Sequence, residues 1–192
     1  MFGVILKVFL VILVINLSSG IAGAYTWYEF NGHYYTLTKN STRYWTDAES
    51  EATSIGLHLV AINSKAEEDF LWSQFWDTIT VGSGTYVACR WIGFTDRVTE
   101  GDWRWVNGDP VTYTNWYPGE PNNSWDEDYG CFPWNTRPWE ANRGWNDVAN
   151  NGAFEGFFYG IIESNYNPVP IPSALVLLGW GILGLAGVRK IF

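Results

Sequence analysis

The sequence predicts an α+β domain carried between two apolar terminal segments. Three observations point there. Residues 25–38 alternate aromatic and polar side chains around Asn31-Gly32, the pattern of two strands joined by a tight turn. Two S/T-x-x-E boxes then follow, Thr46 to Glu49 and Ser64 to Glu67, each the signature of a helix start. After residue 80 the chain shows only short strand-like runs around a long stretch rich in Gly, Pro, Asn and Asp.

In the first pair of strands, Tyr28, Phe30, Tyr34 and Tyr35 supply the apolar positions. The first helix is predicted to run from the Thr46 box to about Gly56. His58-Leu59-Val60-Ala61-Ile62 reads as a short strand. The second helix is predicted to place Ala66, Phe70 and Phe75 on one face at helical spacing. Residues 87–94 and 103–106 read as strands, the latter with a Trp103-Arg104-Trp105 alternation. Residues 107–144 show little periodicity, and loops of that length inside a domain are usually functional. Residues 155–163 read as a closing strand.

Residues 2–17 are apolar with Lys7 as their only charge, and Ala22-Gly23-Ala24 follows as a small-x-small cleavage site. Residues 1–24 therefore predict a secretory signal peptide, with an uncleaved anchor as the alternative. At the other end, residues 165–192 hold a Pro-containing linker, then an uncharged run over 171–188 and the basic pair Arg189-Lys190. That run is just long enough to cross a bilayer core of about 30 Å at about 1.5 Å per residue, with the basic pair left inside. One expectation is a simple single-pass anchor. The order Val169-Pro170-Ile171-Pro172, apolar helix, basic end also resembles the PEP-CTERM sorting signals of Gram-negative bacteria, with Ile171 where the family name has Glu. That resemblance implies cleavage by exosortase and release to the cell surface or an exopolysaccharide matrix.

The domain itself is residues 25–164. All 20 acidic residues fall inside it, against eight of the 11 basic ones, because Lys7, Arg189 and Lys190 lie outside. The resulting net charge of −12 repels phosphate backbones and argues against a nucleic-acid partner, while it suits a bound cation. Thirteen Trp supply ample core area. Cys89 and Cys131 allow one disulfide at most in an exported chain.

Trp91-Ile92-Gly93-Phe94, Trp103-Arg104-Trp105, Glu120-Pro121-Asn122, Trp145-Asn146-Asp147 and a closing Gly160-Ile161-Ile162-Glu163 occur in this order. Together they resemble a C-type lectin domain over residues 28–163. The resemblance implies a C-type lectin-like fold: terminal strands paired at the base, two helices, two small antiparallel sheets, and a long loop region holding calcium. It implies a cis bond before Pro121, which would aim Glu120 and Asn122 the same way. The family's disulfides would join the positions of Ala52 with Ile162 and of Tyr129 with Asn150, and none of these is Cys. The strands carrying Cys89 and Cys131 are implied to be neighbours, so a nonstandard Cys89–Cys131 bridge is predicted, with two buried free thiols as the alternative.

Ca²⁺ takes roughly six to eight oxygen ligands. The resemblance assigns Glu120, Asn122, Asn146 and Asp147 to the main site, closed by Glu127, or by Asp128 because the spacing is one residue short of the commonest pattern. The same Glu120, Asn122, Glu127, Asn146 and Asp147 would meet the carbohydrate. Two vicinal sugar hydroxyls complete the ion's shell in this family, donating to the carboxylates and accepting from the amides. Glu-Pro-Asn implies mannose-type sugars, and Gln-Pro-Asp would imply galactose. Trp125 and Tyr117 either stack on a sugar face or only pack the loop. Asp96, Glu100, Asn123 and Asp128 resemble an accessory calcium site, the alternative being a solvated turn.

The sequence thus predicts a calcium-dependent carbohydrate-binding protein of the bacterial surface or matrix. A structural or adhesive protein, with calcium only ordering the loop, is the alternative. Glu120 with Asp126, Glu127 or Asp128 also offers a glycosidase pair, but the same groups suit a cation cage better. His33 and His58 lie in strand-like stretches, and no Ser or Cys nucleophile sits in a recognisable motif. No catalytic residue is expected.

Overall fold

The computed structural model describes residues 25–42, 44–81, 84–133, 143–151 and 158–168. The predicted signal peptide, the apolar C-terminal run and residues 155–157 of the closing strand lie outside them. Among the described residues no helix is long and apolar enough to cross a membrane.

The chain opens with β1 (Tyr28–Phe30) and β2 (His33–Leu37), antiparallel with Tyr28 opposite Tyr35 and Phe30 opposite His33. The turn between them is Asn31-Gly32, as expected, with φ of 51° and 85°. Helix α1 (Trp45–Ser54) begins before the Thr46 box, and Tyr44 at its cap offers no side-chain bond. Asn150, a hundred residues on, does the capping instead. Its backbone carbonyl accepts from Trp45 N–H at 3.1 Å and its Oδ1 from Thr46 N–H at 3.1 Å. Glu49 is thereby freed to tie the next strand: its carboxylate contacts His58 Nδ1 at 2.6 Å and accepts from Leu59 N–H at 3.0 Å. The helix closes near Gly56, whose N–H donates to Thr53 O at 3.0 Å.

Strand β3 (His58–Leu59) is shorter than the predicted 58–62. Val60, Ala61 and Ile62 continue fully buried, with Val60 N–H donating to Ile161 O at 2.8 Å and Ala61 N–H to Glu163 Oε2 at 3.1 Å. Helix α2 (Lys65–Phe75) starts where its box places it, Ser64 Oγ accepting from Glu67 N–H at 3.2 Å. Its buried face differs from that apolar one, because Ala66 is exposed while Glu67, Glu68, Leu71 and Phe75 turn inward. Phe70 is half-buried and stacks on Phe30 with centroids 4.8 Å apart. The two glutamates are tolerated inside because donors meet them. Glu67 accepts from Tyr35 Oη at 2.8 Å and Asn63 N–H at 2.8 Å.

The predicted strand over 87–94 divides in two. β5 (Gly84–Val87) pairs with β4 (Thr78–Val81) as a separate hairpin, and β6 (Arg90–Thr95) enters the main sheet. β7 (Arg104–Trp105), β8 (Tyr129–Phe132), β9 (Asn146–Val148) and β10 (Tyr159–Ser164) complete the elements. The order across the sheet is β1-β2-β10-β6-β8-β9, with β3 on β10 and β7 on β6. β10 pairs with β2 at the base, Ile161 opposite Leu37. β10 also lies parallel to β6 through Tyr159–Arg90 and Gly160–Trp91, so the resemblance's two small antiparallel sheets are replaced by one mixed eight-stranded sheet, with β4 and β5 as a separate antiparallel pair.

Phe94 on β6 sits among four tryptophans. Trp105 lies 4.2 Å away by ring centroid, Trp103 5.2 Å, Trp116 and Trp145 5.7 Å each. This aromatic cluster is the floor of the long loop region. Cys89 and Cys131 are bonded as a disulfide, their Cα atoms 5.9 Å apart. Closing a 42-residue separation stabilises by about 4 kcal/mol in the chain-entropy model. The positions where the resemblance implies half-cystines are used for packing here: Ala52 and Ile162 are fully buried in one cluster, and Tyr129 packs on Trp45 at 4.8 Å.

Candidate metal centre

Two limbs of the chain are brought side by side by a parallel bridge between Trp116 and Trp145. Trp145 N–H donates to Asn115 O at 2.7 Å and Tyr117 N–H to Trp145 O at 2.8 Å. From this bridge one limb runs directly into Asn146 and Asp147 on β9. The other turns through Tyr117-Pro118-Gly119-Glu120, closed by Glu120 N–H donating to Tyr117 O at 2.8 Å. Gly119 has φ of 100°, the conformation a type II turn requires after proline. The approach is so close that only glycine fits at residue 144. A Cβ there would fall well inside 3.0 Å of Tyr117 N and Cα.

The Glu120–Pro121 bond is cis, as the resemblance implied. Asn122 Nδ2 donates to Glu120 Oε2, and Asn122 Oδ1 accepts from Ser124 N–H at 2.8 Å. Asp147 is fully buried, and its Oδ2 receives the backbone N–H groups of Asn122 at 2.9 Å and Asn123 at 2.7 Å. Glu127 is also buried and accepts from Ser124 N–H at 3.1 Å. Its carboxyl is pushed up to about 7, by burial first and then by the fields of Asp147 and Glu120. Burial, with Asp147 beside it, likewise raises Glu120. Glu120, Glu127 and Asp147 therefore share one patch of field.

Asp128 feels a different set of charges. Burial raises its carboxyl, followed by Asp126 and Asp96, while Arg97 lowers it. Asp96 is 2% exposed, with Oδ2 accepting from Gly101 N–H at 2.9 Å. Thr95 Oγ1 donates to Asp128 O at 2.7 Å, fixing the two segments together. Desolvation raises the Glu100 carboxyl first, and the charges of Asp96, Asp128, Asp126 and Asp147 then add to it. Asn123 turns its Oδ1 onto Glu127 N–H at 2.8 Å, bracing the loop between the two groups. Glu127 thus lies in the field of Asp147 and Glu120, and Asp128 in that of Asp126 and Asp96.

The donor set fits a hard cation. Asn146 Oδ1 and Asp147 Oδ1 are buried oxygens with no hydrogen-bond partner, and so is Asp96 Oδ1. Orphaned buried acceptors are costly, and the neighbouring carboxylates repel one another. A divalent ion relieves both. Among the described residues no three His, Cys, Asp or Glu side chains form a ready cage by themselves. The amide oxygens of Asn122 and Asn146 would be needed to complete one.

A model of the lectin C-type domain matches residues 35–153, more than half of the chain. The chain belongs to the C-type lectin domain family. It is 38% identical over 125 residues to C-type lectin domain family 17, member A, of Homo sapiens, a match covering 64% of this chain and 28% of that protein. The chain therefore spans little more than a quarter of that relative's length. A C-type lectin of Micrurus corallinus is 34% identical over 146 residues, covering 69% of this chain and 89% of the relative. Among solved structures, the mouse scavenger receptor C-type lectin carbohydrate-recognition domain has a TM-score of 0.57 and 29% identity, covering 75% of this chain and 97% of that one.

Within this C-type lectin domain, sequence reasoning missed the parts that hold the limbs together. Gly144 precedes the Trp145-Asn146-Asp147 motif directly, and that adjacency was an available signal. Glu68 carried none, being one of two consecutive glutamates on a helix. His33 contacts Glu163 at 2.7 Å and His58 contacts Glu49 at 2.6 Å, each tying strand to neighbour.

Proposed function

We propose that this domain binds carbohydrate through a Ca²⁺ ion held by Glu120, Asn122, Glu127, Asn146 and Asp147, and that it reads mannose-type diols. The carrying observation is the pair of buried, unpartnered oxygens on Asn146 and Asp147, set beside two carboxyls, Glu120 and Glu127, raised by burial first and then by the charge of Asp147. Family membership and the carbohydrate-recognition domain it matches support the same reading. Ca²⁺ would supply positive charge and spare coordination for two vicinal hydroxyls. Glu120 and Glu127 would accept the sugar's hydroxyl protons, and the Asn122 and Asn146 amides would donate to its oxygens. Asp128 with Asp96, Glu100 and Asn123 would hold an accessory ion.

The sequence segments 1–24 and 165–192 extend the proposal to an exported protein of the bacterial surface or an exopolysaccharide matrix. A single shallow site binds weakly, so dense display would be needed for useful avidity. Retention on immobilised mannose, with release by EDTA and recovery in Ca²⁺, is the test. Retention indifferent to chelator would contradict the proposal.

A further inference from the structure

Glu68 lies on α2, some fifty residues before the nearest residue of the calcium cage, and is 2% exposed. Its two oxygens hold two different residues of the long loop. Oε1 accepts from Asn115 Nδ2 at 2.7 Å, and Oε2 accepts from Tyr113 Oη at 2.8 Å. Asn115 is also one half of the bridge to Trp145, through its backbone carbonyl at 2.7 Å. Trp145 leads straight into Asn146 and Asp147. Tyr117, which closes the other side of that bridge at 2.8 Å, leads through its turn to Glu120.

We propose that Glu68 is a positioning residue for the metal site, locking both ligand-bearing limbs in register through Asn115. The inference rests on the calcium proposal above. The physical case is that residues 107–119 contain no helix or strand of their own beyond the isolated bridge. Their placement must come from side-chain anchors. A buried carboxylate accepting from an amide gives a strong, directional one, since charge-assisted bonds in a low dielectric exceed neutral ones. Asn115 is held on both sides at once, by α2 through its side chain and by Trp145 through its backbone. Tyr113 shares the carboxylate and packs its ring edge-on against Trp145 at 5.8 Å, but it makes no bridge hydrogen bond to Trp145, and Tyr113→Phe removes its bond to Glu68 while keeping that ring contact.

The test uses the full chain and Ca²⁺ alone, titrated by calorimetry, with melting in EDTA measured in parallel. Loss of an outer-shell partner typically weakens metal affinity by about 10- to 100-fold. Glu68→Ala and Asn115→Ala should each weaken Ca²⁺ binding about tenfold or more. Glu68→Gln keeps an oxygen for Asn115 and should stay within about threefold of wild type. Tyr113→Phe should melt lower in EDTA yet also bind Ca²⁺ within about threefold. If Glu68→Ala fails to fold, the contrast between Asn115→Ala and Tyr113→Phe decides. Asn115→Ala binding as tightly as wild type, or Tyr113→Phe losing as much as Asn115→Ala, overturns the positioning role. A wild-type chain that takes up no Ca²⁺ overturns the calcium proposal and this one with it.

Discussion

Replacing Gly144 by alanine perturbs the site at its narrowest point without touching any ligand oxygen. The added Cβ would lie 2.8 Å from the Trp116 carbonyl carbon and closer still to Tyr117 N and Cα, all of them backbone atoms. Ordinary contact begins at 3.4 Å, so Trp116 must retreat by 0.6 Å and Tyr117 by more. That displacement acts on the bonds at 2.7 and 2.8 Å that join Asn115 and Tyr117 to Trp145. Overpacking of this kind costs about 1–3 kcal/mol, and each weakened bond adds up to about 1 kcal/mol. For a domain of this size roughly 2–4 kcal/mol lowers Tm by about 5–15 °C. Calorimetric melting in EDTA measures the loss, and a Ca²⁺ titration should show weaker binding alongside it. A Gly144→Ala variant with wild-type melting and wild-type Ca²⁺ affinity would refute the close-approach argument.

Protons should compete with Ca²⁺. The Glu127 carboxyl at about 7 is ionised above neutrality and protonated below it, so Ca²⁺ affinity measured by calorimetry should fall by about tenfold per unit as pH drops below 7. The metal-free domain should behave oppositely. Folded carboxyls raised above their unfolded values, here Glu127, Glu67, Glu68 and Glu163, stabilise at low pH and lose that contribution as pH rises through the folded value. Melting in EDTA should therefore be higher at pH 5.5 than at pH 8. Glu120→Gln combined with Asn122→Asp puts a donor for an acceptor on one side of the diol and an acceptor for a donor on the other. It should move preference from mannose toward galactose in a competition assay, and unchanged preference would remove the diol-reading role. Trp125 is 95% exposed with φ of 66°. If it stacks on the sugar, Trp125→Ala should weaken glycan binding by about two- to tenfold at unchanged Ca²⁺ affinity.

Local chemistry was legible where it was local. Asn31-Gly32 can form a tight turn on its own, and Ser64 reaches an N–H three residues away, so both stand in the structure as the sequence predicts. The Thr46 box shows the limit: the helix start is decided by Asn150, and no helical spacing connects the two. The inward face of α2 was not legible for the same reason. Glutamate is polar by type, and it is buried only because Tyr35, Tyr113 and Asn115 arrive from distant segments with donors. At the site, Glu120-Pro121-Asn122 and Trp145-Asn146-Asp147 are legible only through the family resemblance they carry. Counting residues could not separate Glu127 from Asp128; the charges around each, Asp147 and Glu120 for the first, Asp126 and Asp96 for the second, favour Glu127 as the ligand we propose. The Cys89–Cys131 pairing likewise depended on β6 and β8 being neighbours, a property of topology.

The most direct measurement is binding of the full chain to a glycan array in Ca²⁺, in EDTA, and after Ca²⁺ is restored. Signal on mannose-type glycans that disappears with chelator and returns with the ion is the predicted result. Silence in all three conditions, or binding that ignores the chelator, would contradict a calcium-held sugar site at Glu120, Asn122, Glu127, Asn146 and Asp147.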